Sequence, residues 1–173
     1  PFFPDLRDYD AYYEPFLGGG SVALHITKKY PKLKIIVNDL YEPLYNFWLR
    51  LQVDGDYVHS QLQQLKSRYP DHGSARGLFE DAKEKLYDLD VSDKDRAVCF
   101  YIINKCSFSG LTESSSFSKQ ASDANFSMRG IDKLPVYSKL ISNWYITNID
   151  YKVLLGDKEK TFVYLDPPYD IKD

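Results

Sequence analysis

The stretch Val163-Tyr164-Leu165-Asp166-Pro167-Pro168-Tyr169-Asp170 is an apolar run that stops on a carboxylate, two prolines and an aromatic ring. Those residue types in that order suit chemistry on an exocyclic amine. The amino nitrogen of adenine has its lone pair spread into the ring, so it is a poor nucleophile until its two N–H groups are held and the lone pair is aimed. The Asp166 carboxylate and the Pro167 carbonyl are two acceptors for those two hydrogens. Prolines fix φ and carry no N–H, so the turn is stiff and the acceptors are preset. Tyr169 can then stack on the base. An isolated Asp-Pro-Pro is more often a capped turn, but this one ends the apolar run Thr161–Leu165 and follows two other polar clusters at strand ends.

The first of these clusters is Glu14-Pro15-Phe16-Leu17-Gly18-Gly19-Gly20. Its glycines allow a sharp turn and a close approach of ligand to main chain. Gly18-x-Gly20-x-x-Ala23, with Asp39 nineteen residues after Gly20, fits the fingerprint of a nucleoside-containing cofactor whose ribose hydroxyls an acid grips. NAD and S-adenosylmethionine both meet that description. Hydride transfer has no evident need for an Asp-Pro-Pro-Tyr turn, whereas methyl transfer to an amine does, which favours S-adenosylmethionine over an NAD-dependent oxidoreductase. Asn38-Asp39 is the second cluster, and Asn148-Ile149-Asp150-Tyr151 is a further candidate.

These clusters need a frame that brings strand ends together. Ala11–Phe16 reads as a short strand, and Ser21–Tyr30 as a helix opened by the glycine turn, with Val22, Ala23 and Ile26 at helical spacing. Lys32–Asp39 reads as a buried strand, and Glu42–Gln52 as a helix with Pro43 in its first turn. This β-α-β-α order opens a doubly wound parallel sheet. From Gly55 to about Ser107 the pattern becomes helix upon helix (Tyr57–Tyr69, Ser74–Leu89 and Ser92–Cys106), with Ser92 and Asp95 suited to an N-cap and first turn. Ser107–Arg129 reads as polar and irregular, its serines interleaved with Phe108, Phe117 and Phe126. A short helix is expected near Val136–Ile141, after which Trp144–Asp150 and Thr161–Asp166 restore the β-rhythm. Asp39 and Asp166 lie 127 residues apart, whereas one βα unit needs roughly 30. A domain-sized piece is therefore inserted, and the expected division is 1–54, 55–143 and 144–173.

Composition bounds the remaining possibilities. The chain has 173 residues, is 43% hydrophobic and 27% charged, and has no apolar run of membrane-spanning length. Asp5, Arg7, Asp8 and Asp10 near its start are unlike a signal peptide, so the expected compartment is a cytoplasm, with no membrane partner. Cys99 and Cys106 share a helix face too far apart along its axis for a disulfide and read as core thiols. His25, His59 and His72 are scattered, so no metal site is expected. The net charge of −3 does not by itself announce a nucleic-acid partner. Yet Asn104–Lys139 carries five basic against three acidic side chains, and fifteen Tyr and ten Phe offer stacking surface.

Taken together, Glu14–Leu24, Val37–Trp48, Phe100–Leu111, Asn148–Leu155 and Val163–Asp170 resemble the DNA adenine-N6 methyltransferases of the Dam-like type (D12 class, alpha group) over nearly the whole chain. The resemblance implies a Rossmann-like sheet of the class I methyltransferase type with an inserted, mainly helical target-recognition region, incomplete here at both ends. It implies S-adenosylmethionine as methyl donor and double-stranded DNA as substrate, and it allows a cognate restriction endonuclease as companion. By this comparison Glu14, Pro15, Phe16, Gly18, Gly19 and Gly20 form the loop that cradles the methionine part of the cofactor. Asn38 and Asp39 place an acid on the ribose, Asp150 and Tyr151 border the adenine, and Asp166, Pro167, Pro168 and Tyr169 form the catalytic turn, Asp166 also bordering the cofactor. In the inserted region Asn104, Lys105, Phe108, Ser109, Gly110, Lys119, Phe126 and Arg129 are the expected DNA contacts, with Phe108, Phe117 or Phe126 able to fill the gap left by a flipped base. The branch that reads GATC carries Arg two residues after its Gly-Leu, where this chain has Glu113. An acid cannot make that bidentate contact to guanine, so the resemblance does not extend to GATC. RNA or protein-amide methyltransferases share the glycine loop and the proline turn and are the alternative substrate classes, and a non-catalytic DNA-binding remnant is the alternative without chemistry.

Overall fold

The computed structural model describes residues 3–108, 115–155 and 160–168. The chain forms two compact units, one from Pro1–Tyr45 with Leu140–Asp173 and one from Asn46–Lys139. The inserted unit therefore begins inside a helix rather than after it.

The discontinuous unit is built on four strands, β1 (Ala11–Glu14), β2 (Lys34–Asn38), β3 (Tyr145–Thr147) and β4 (Thr161–Val163). They lie side by side in the order β3-β2-β1-β4, and every pairing is parallel. The β-α-β-α expectation is met, since α1 (Ser21–Lys29) joins β1 to β2 and α2 (Glu42–Val53) leaves β2. β1 is buried along its whole length, as expected of an inner strand whose two faces are both covered. Leu6, Ala11, Tyr12, Tyr13, Leu17, Ala23, Ile26, Ile35, Val37, Ile141 and Trp144 are buried apolar side chains of this unit. The Trp144 indole N–H donates to Thr27 Oγ1 at 2.8 Å, which satisfies the polar end of a buried ring. Leu6–Asp8 ahead of β1 is a single 3-10 turn capped by Asp5.

Among the described residues the continuous unit is mainly helical. It contains the rest of α2, then α3 (Gly55–Arg68), α4 (His72–Lys85), α5 (Asp93–Cys106), α6 (Lys119–Asn125), α7 (Met128–Ile131) and α8 (Leu134–Leu140), whose last residue passes back to the sheet unit. α5 is its axis: Ala97 to Ile103 and Cys106 are all buried, too many for a single amphipathic stripe. Ser92 caps it, accepting from the Asp95 N–H. Cys99 and Cys106 are buried free thiols. No helix among the described residues is long and apolar enough to cross a membrane.

Ser107–Arg129 departs from the irregular course expected of it. Ser118 and Ser127 are the N-caps of α6 and α7, accepting from the N–H groups of Ala121 and Gly130. Serine competes with the backbone for hydrogen bonds inside a helix but satisfies the orphan donors at its start, so a serine-rich stretch can conceal helices that serine itself begins. Both short helices are tied to longer ones from outside. His72 and Asp123 pair at 3.0 Å, and Gln63 donates to Asp132 at 2.8 Å beside His59.

Gly55 shows how closely the helices of this unit approach. A Cβ at Gly55, the first residue of α3, would lie 2.3 Å from Ser138 Oγ and 2.7 Å from Ser138 Cβ on α8. Gly55→Ala is expected to cost about 1–3 kcal/mol by overpacking. Ser138→Gly in the same chain should recover most of it, because both clashing atoms are then gone. Urea unfolding of the single and double variants checks this, and independent, additive losses would refute it.

Candidate active site

In an open parallel sheet, ligands bind beyond the carboxyl ends of the strands at the point where strand order reverses. Here β2 and β3 lie on one side of β1 and β4 on the other, so that point is between β1 and β4. The register pairs Tyr13 with Val163 and Glu14 with Val37. The Tyr164 N–H donates to Tyr13 O at 2.9 Å, carrying the ladder one step further. Glu14 and the Asp166 turn therefore emerge side by side, with the glycine loop following directly from β1.

That loop is held by Asp39. The Gly18 N–H donates to Asp39 Oδ2 at 3.0 Å, and the Tyr41 N–H donates to Oδ1 at 3.0 Å. Each carboxylate oxygen keeps a second lone pair, which leaves Asp39 able to accept a pair of hydroxyls as well. Gly18 and Gly20 have φ of 49° and 66°, a region that costs any residue with a Cβ. Gly20 N-caps α1 from this conformation. A Cβ built at Gly18 or Gly19 meets nothing within 4 Å, so the space over the loop is open. A helix N-terminus under an open glycine turn is a cradle that small backbone donors can line.

Asn38, expected among the cofactor contacts, has its side-chain amide engaged within the protein. It is 1% exposed. Its Nδ2 donates to Pro15 O at 3.2 Å and Ile149 O at 3.1 Å, and its Oδ1 accepts from Thr147 Oγ1 at 2.8 Å and the Ile149 N–H at 3.0 Å. The amide is spent on joining the segments after β1 and β3 to the end of β2. Asn148 adds a neighbouring tie, donating to Asp39 O at 2.7 Å. Thr147 was not singled out from the sequence, where nothing distinguishes it from an ordinary strand threonine.

Asp150 caps α9 (Tyr151–Leu154), accepting from the Lys152 N–H at 2.9 Å, and is exposed. The ring of Tyr151, expected near an adenine, lies 5.1 Å from that of Phe16, expected in the methionine cradle, and both are half-buried. Asp166, Pro167 and Pro168 are exposed; Tyr169 lies outside the described residues.

Glu14 is the buried acid of the site, 3% exposed. It accepts from the Tyr12 hydroxyl at 2.7 Å, two residues back on the same strand face. Burial pushes its carboxyl up to about 7, with Asp166 adding to the rise, while the Tyr12 hydroxyl and the Ala23 N–H of α1 oppose it. Burial and the Glu14 carboxyl hold the Tyr12 phenol above its usual range, so it stays a donor.

In the helical unit the expected DNA contacts separate by exposure. Phe108 is 74% exposed just beyond α5, where an isolated bridge between Ser107 and Phe117 begins the return of the chain. Phe126 is 0% exposed, with the Lys66 ammonium 5.0 Å from its ring, and Phe117 packs edge-on to Phe79. The structure thus places Phe126 in the core rather than on a surface that could meet DNA. Lys119 and Arg129 are exposed, while Asn104 and Lys105 are half-buried. The Lys105 ammonium sits 5.6 Å from the Tyr101 ring and burial lowers its pKa. Ser109, Gly110 and Glu113 lie outside the described residues. No group of three or more His, Cys, Asp or Glu that could hold a metal ion occurs among the described residues.

The family model described as D12 class N6 adenine-specific DNA methyltransferase matches residues 2–173. The chain is similar to the Type II methyltransferase M.MjaIII of Methanocaldococcus jannaschii, at 26% identity over 91% of this chain and 58% of that protein. It is also similar to the Type II methyltransferase M1.LlaDCHI of Lactococcus lactis subsp. cremoris, at 26% identity over 93% of this chain and 57% of that protein. The chain thus spans less than two thirds of the length of either relative.

The fully used amide of Asn38 gives the site a sharp structural test. Asn38→Asp replaces two donors by acceptors facing the Pro15 and Ile149 carbonyls. It should cost roughly 3 kcal/mol or more at neutral pH. Protonating the new carboxyl restores one donor, so part of the loss should return on acidification, relative to the unsubstituted chain. Denaturant midpoints across pH measure this; a near-neutral substitution would mean that the three segments are held by other bonds.

Proposed function

Because the chain belongs to the D12 class N6 adenine-specific DNA methyltransferase family, we propose that it serves in site-specific transfer of a methyl group from S-adenosylmethionine to the N6 amino group of adenine in DNA. The observation that carries the proposal is the pairing of the glycine loop and the Asp-Pro-Pro turn at the reversal point of the sheet, between β1 and β4. S-adenosylmethionine, when bound, supplies an activated methyl group. Open space over Gly18 and Gly19, and lone pairs left on Asp39, fit its methionine and ribose parts. Phe16 and Tyr151 are the aromatic pair suited to its adenine.

The chain's own work is positioning. Asp166 and the Pro167 carbonyl accept from the target amine and orient its lone pair, an effect of preset dipoles and of orientation rather than of covalent catalysis. Tyr169 is assigned to stacking on the flipped base. Lys119 and Arg129, exposed on the helical unit, are suited to phosphate contacts, and the half-buried Asn104 and Lys105 are less so. The reading puts the protein in a cytoplasm with duplex DNA as partner. That the two relatives are Type II methyltransferases supports a companion restriction endonuclease.

Tritium transfer from labelled S-adenosylmethionine to unmethylated duplex DNA by the full-length protein, followed by nucleoside analysis, should give N6-methyladenine. Asp166→Ala should fold normally and lose at least about a hundredfold in rate. Label in RNA or protein alone would refute the proposal, and DNA binding without transfer would favour a non-catalytic remnant.

Of the three phenylalanines, Phe108 alone is well exposed and is the one assigned to the gap left by a flipped base. With 2-aminopurine at the target position, Phe108→Ala should lower the flipping fluorescence and weaken DNA binding by about 1–3 kcal/mol, the usual worth of a stacked base, with the melting temperature unchanged. Phe126→Ala should instead cost about 3–5 kcal/mol of stability. Equal effects of the two substitutions on flipping would overturn the assignment.

A further inference from the structure

Among the described residues, Glu14 is the one acid of the site whose side chain is almost wholly out of water. Among the described residues, the groups that act on it are the Tyr12 hydroxyl from its own strand, the Ala23 N–H from α1 and the Asp166 carboxylate from beyond β4, and its partner position on β2 is Val37. Tyr164, from the same segment as Asp166, acts on Tyr12. None of these groups is a cation. An ionised Glu14 would therefore place a second negative charge beside Asp166 with two neutral donors to hold it, so only an added positive charge makes that state favourable.

We propose that Glu14 is a proton-linked sensor of the methyl donor's charge, ionised when the cationic donor is bound and protonated when the neutral, demethylated product is bound. The inference rests on the reading of this site as an S-adenosylmethionine site. The donor carries a sulfonium, an ammonium and a carboxylate, and is cationic overall. S-adenosylhomocysteine has a thioether where the sulfonium was, so its charges cancel. The two ligands are otherwise alike, and a buried acid that answers to net charge can tell them apart where contacts with the ribose and adenine cannot. The rise of the Glu14 carboxyl to about 7 sets the range in which this discrimination works.

The sign follows from linkage. If the donor binds the ionised form, binding expels the proton that Glu14 holds below about pH 7. Donor affinity then rises with pH, by up to about tenfold per unit below that value, and is level above it. Product affinity is level below about pH 7 and falls above it, where binding must restore the proton to Glu14. Calorimetric titration of the full-length protein in buffers of different ionisation heat counts the protons. At about pH 6.5, below the titration of either ligand's own amine at about 7.7 or higher, S-adenosylmethionine should release roughly half a proton or more, and S-adenosylhomocysteine close to none. In Glu14→Gln the release should vanish and donor affinity should lose its pH dependence. Should the variant not fold, the ratio of the two affinities in the unsubstituted protein, followed from about pH 6 to 8, reads the same proton linkage. Donor binding with no proton released, or equal release with both ligands, would overturn the inference while leaving the cofactor site intact. Failure of either ligand to bind at any pH would instead defeat the reading of the site itself.

Discussion

The site depends on one side-chain amide. Asn38 closes β2 with two donated and two accepted hydrogen bonds, reaching Pro15 after β1 and both Thr147 and Ile149 around the end of β3. Parallel strands end in separate loops with no hairpin to align them, so something else must fix where the chain goes on leaving the sheet. A buried amide does this well because every polar atom must be satisfied, and four partners admit one geometry. The bond to Pro15 sets the path of the segment that carries Phe16 and the glycines. The neighbouring Asp39 then holds Gly18 by its N–H. Two adjacent residues thus place the glycine loop from below, one through its backbone oxygen and one through its backbone nitrogen.

That placement gives two acids very different surroundings. Glu14 leaves β1 buried against Tyr12 and the start of α1, while Asp166 leaves the β4 side exposed. Solvent decides the division of labour. An exposed carboxylate on a stiff proline turn is free to accept from whatever enters the site, whereas a buried one responds to the field of its neighbours. In the proposed reaction the first faces the amine and the second faces the charge of the cofactor. Neither role needs a metal or a covalent intermediate, in keeping with a fold that works by position.

Much of the frame was legible in the sequence because its signals were local. The glycine turn, Pro43 in the first turn of α2 and Ser92 ahead of α5 each act within a few residues, and the structure has each where it was expected. The 127-residue gap between Asp39 and Asp166 leaves room for the helical unit Asn46–Lys139. What escaped was set by tertiary partners. α6 and α7 hid inside a serine-rich stretch, since a cap and a loop look alike until the helix that follows is known. Asn38 read as a ligand contact because an Asn-Asp pair at a strand end looks functional, and only the positions of Pro15 and Ile149 show where its amide goes. The alternation of Tyr12 and Glu14 on one face was present in the sequence, but the burial that makes it matter was not.

Exposure sorts the helical unit in the same way. α5 buries nearly every residue from Ala97 to Cys106, so it cannot turn or slide without opening the core around it. Phe108 follows directly from that fixed end, beyond the Ser107–Phe117 bridge, with its ring in solvent. An exposed aromatic side chain is ordinarily a loss in a soluble fold, and on a mobile loop it would lose still more entropy on binding. Two residues beyond the end of a packed helix it loses less, which is the condition under which the proposed stacking against a base would yield net affinity. Phe126, chemically identical, contributes to the rigidity that makes this possible by filling the core. The two rings thus stand in opposite surroundings, one in solvent and one in the core, and a residue's type alone could never have assigned which is which.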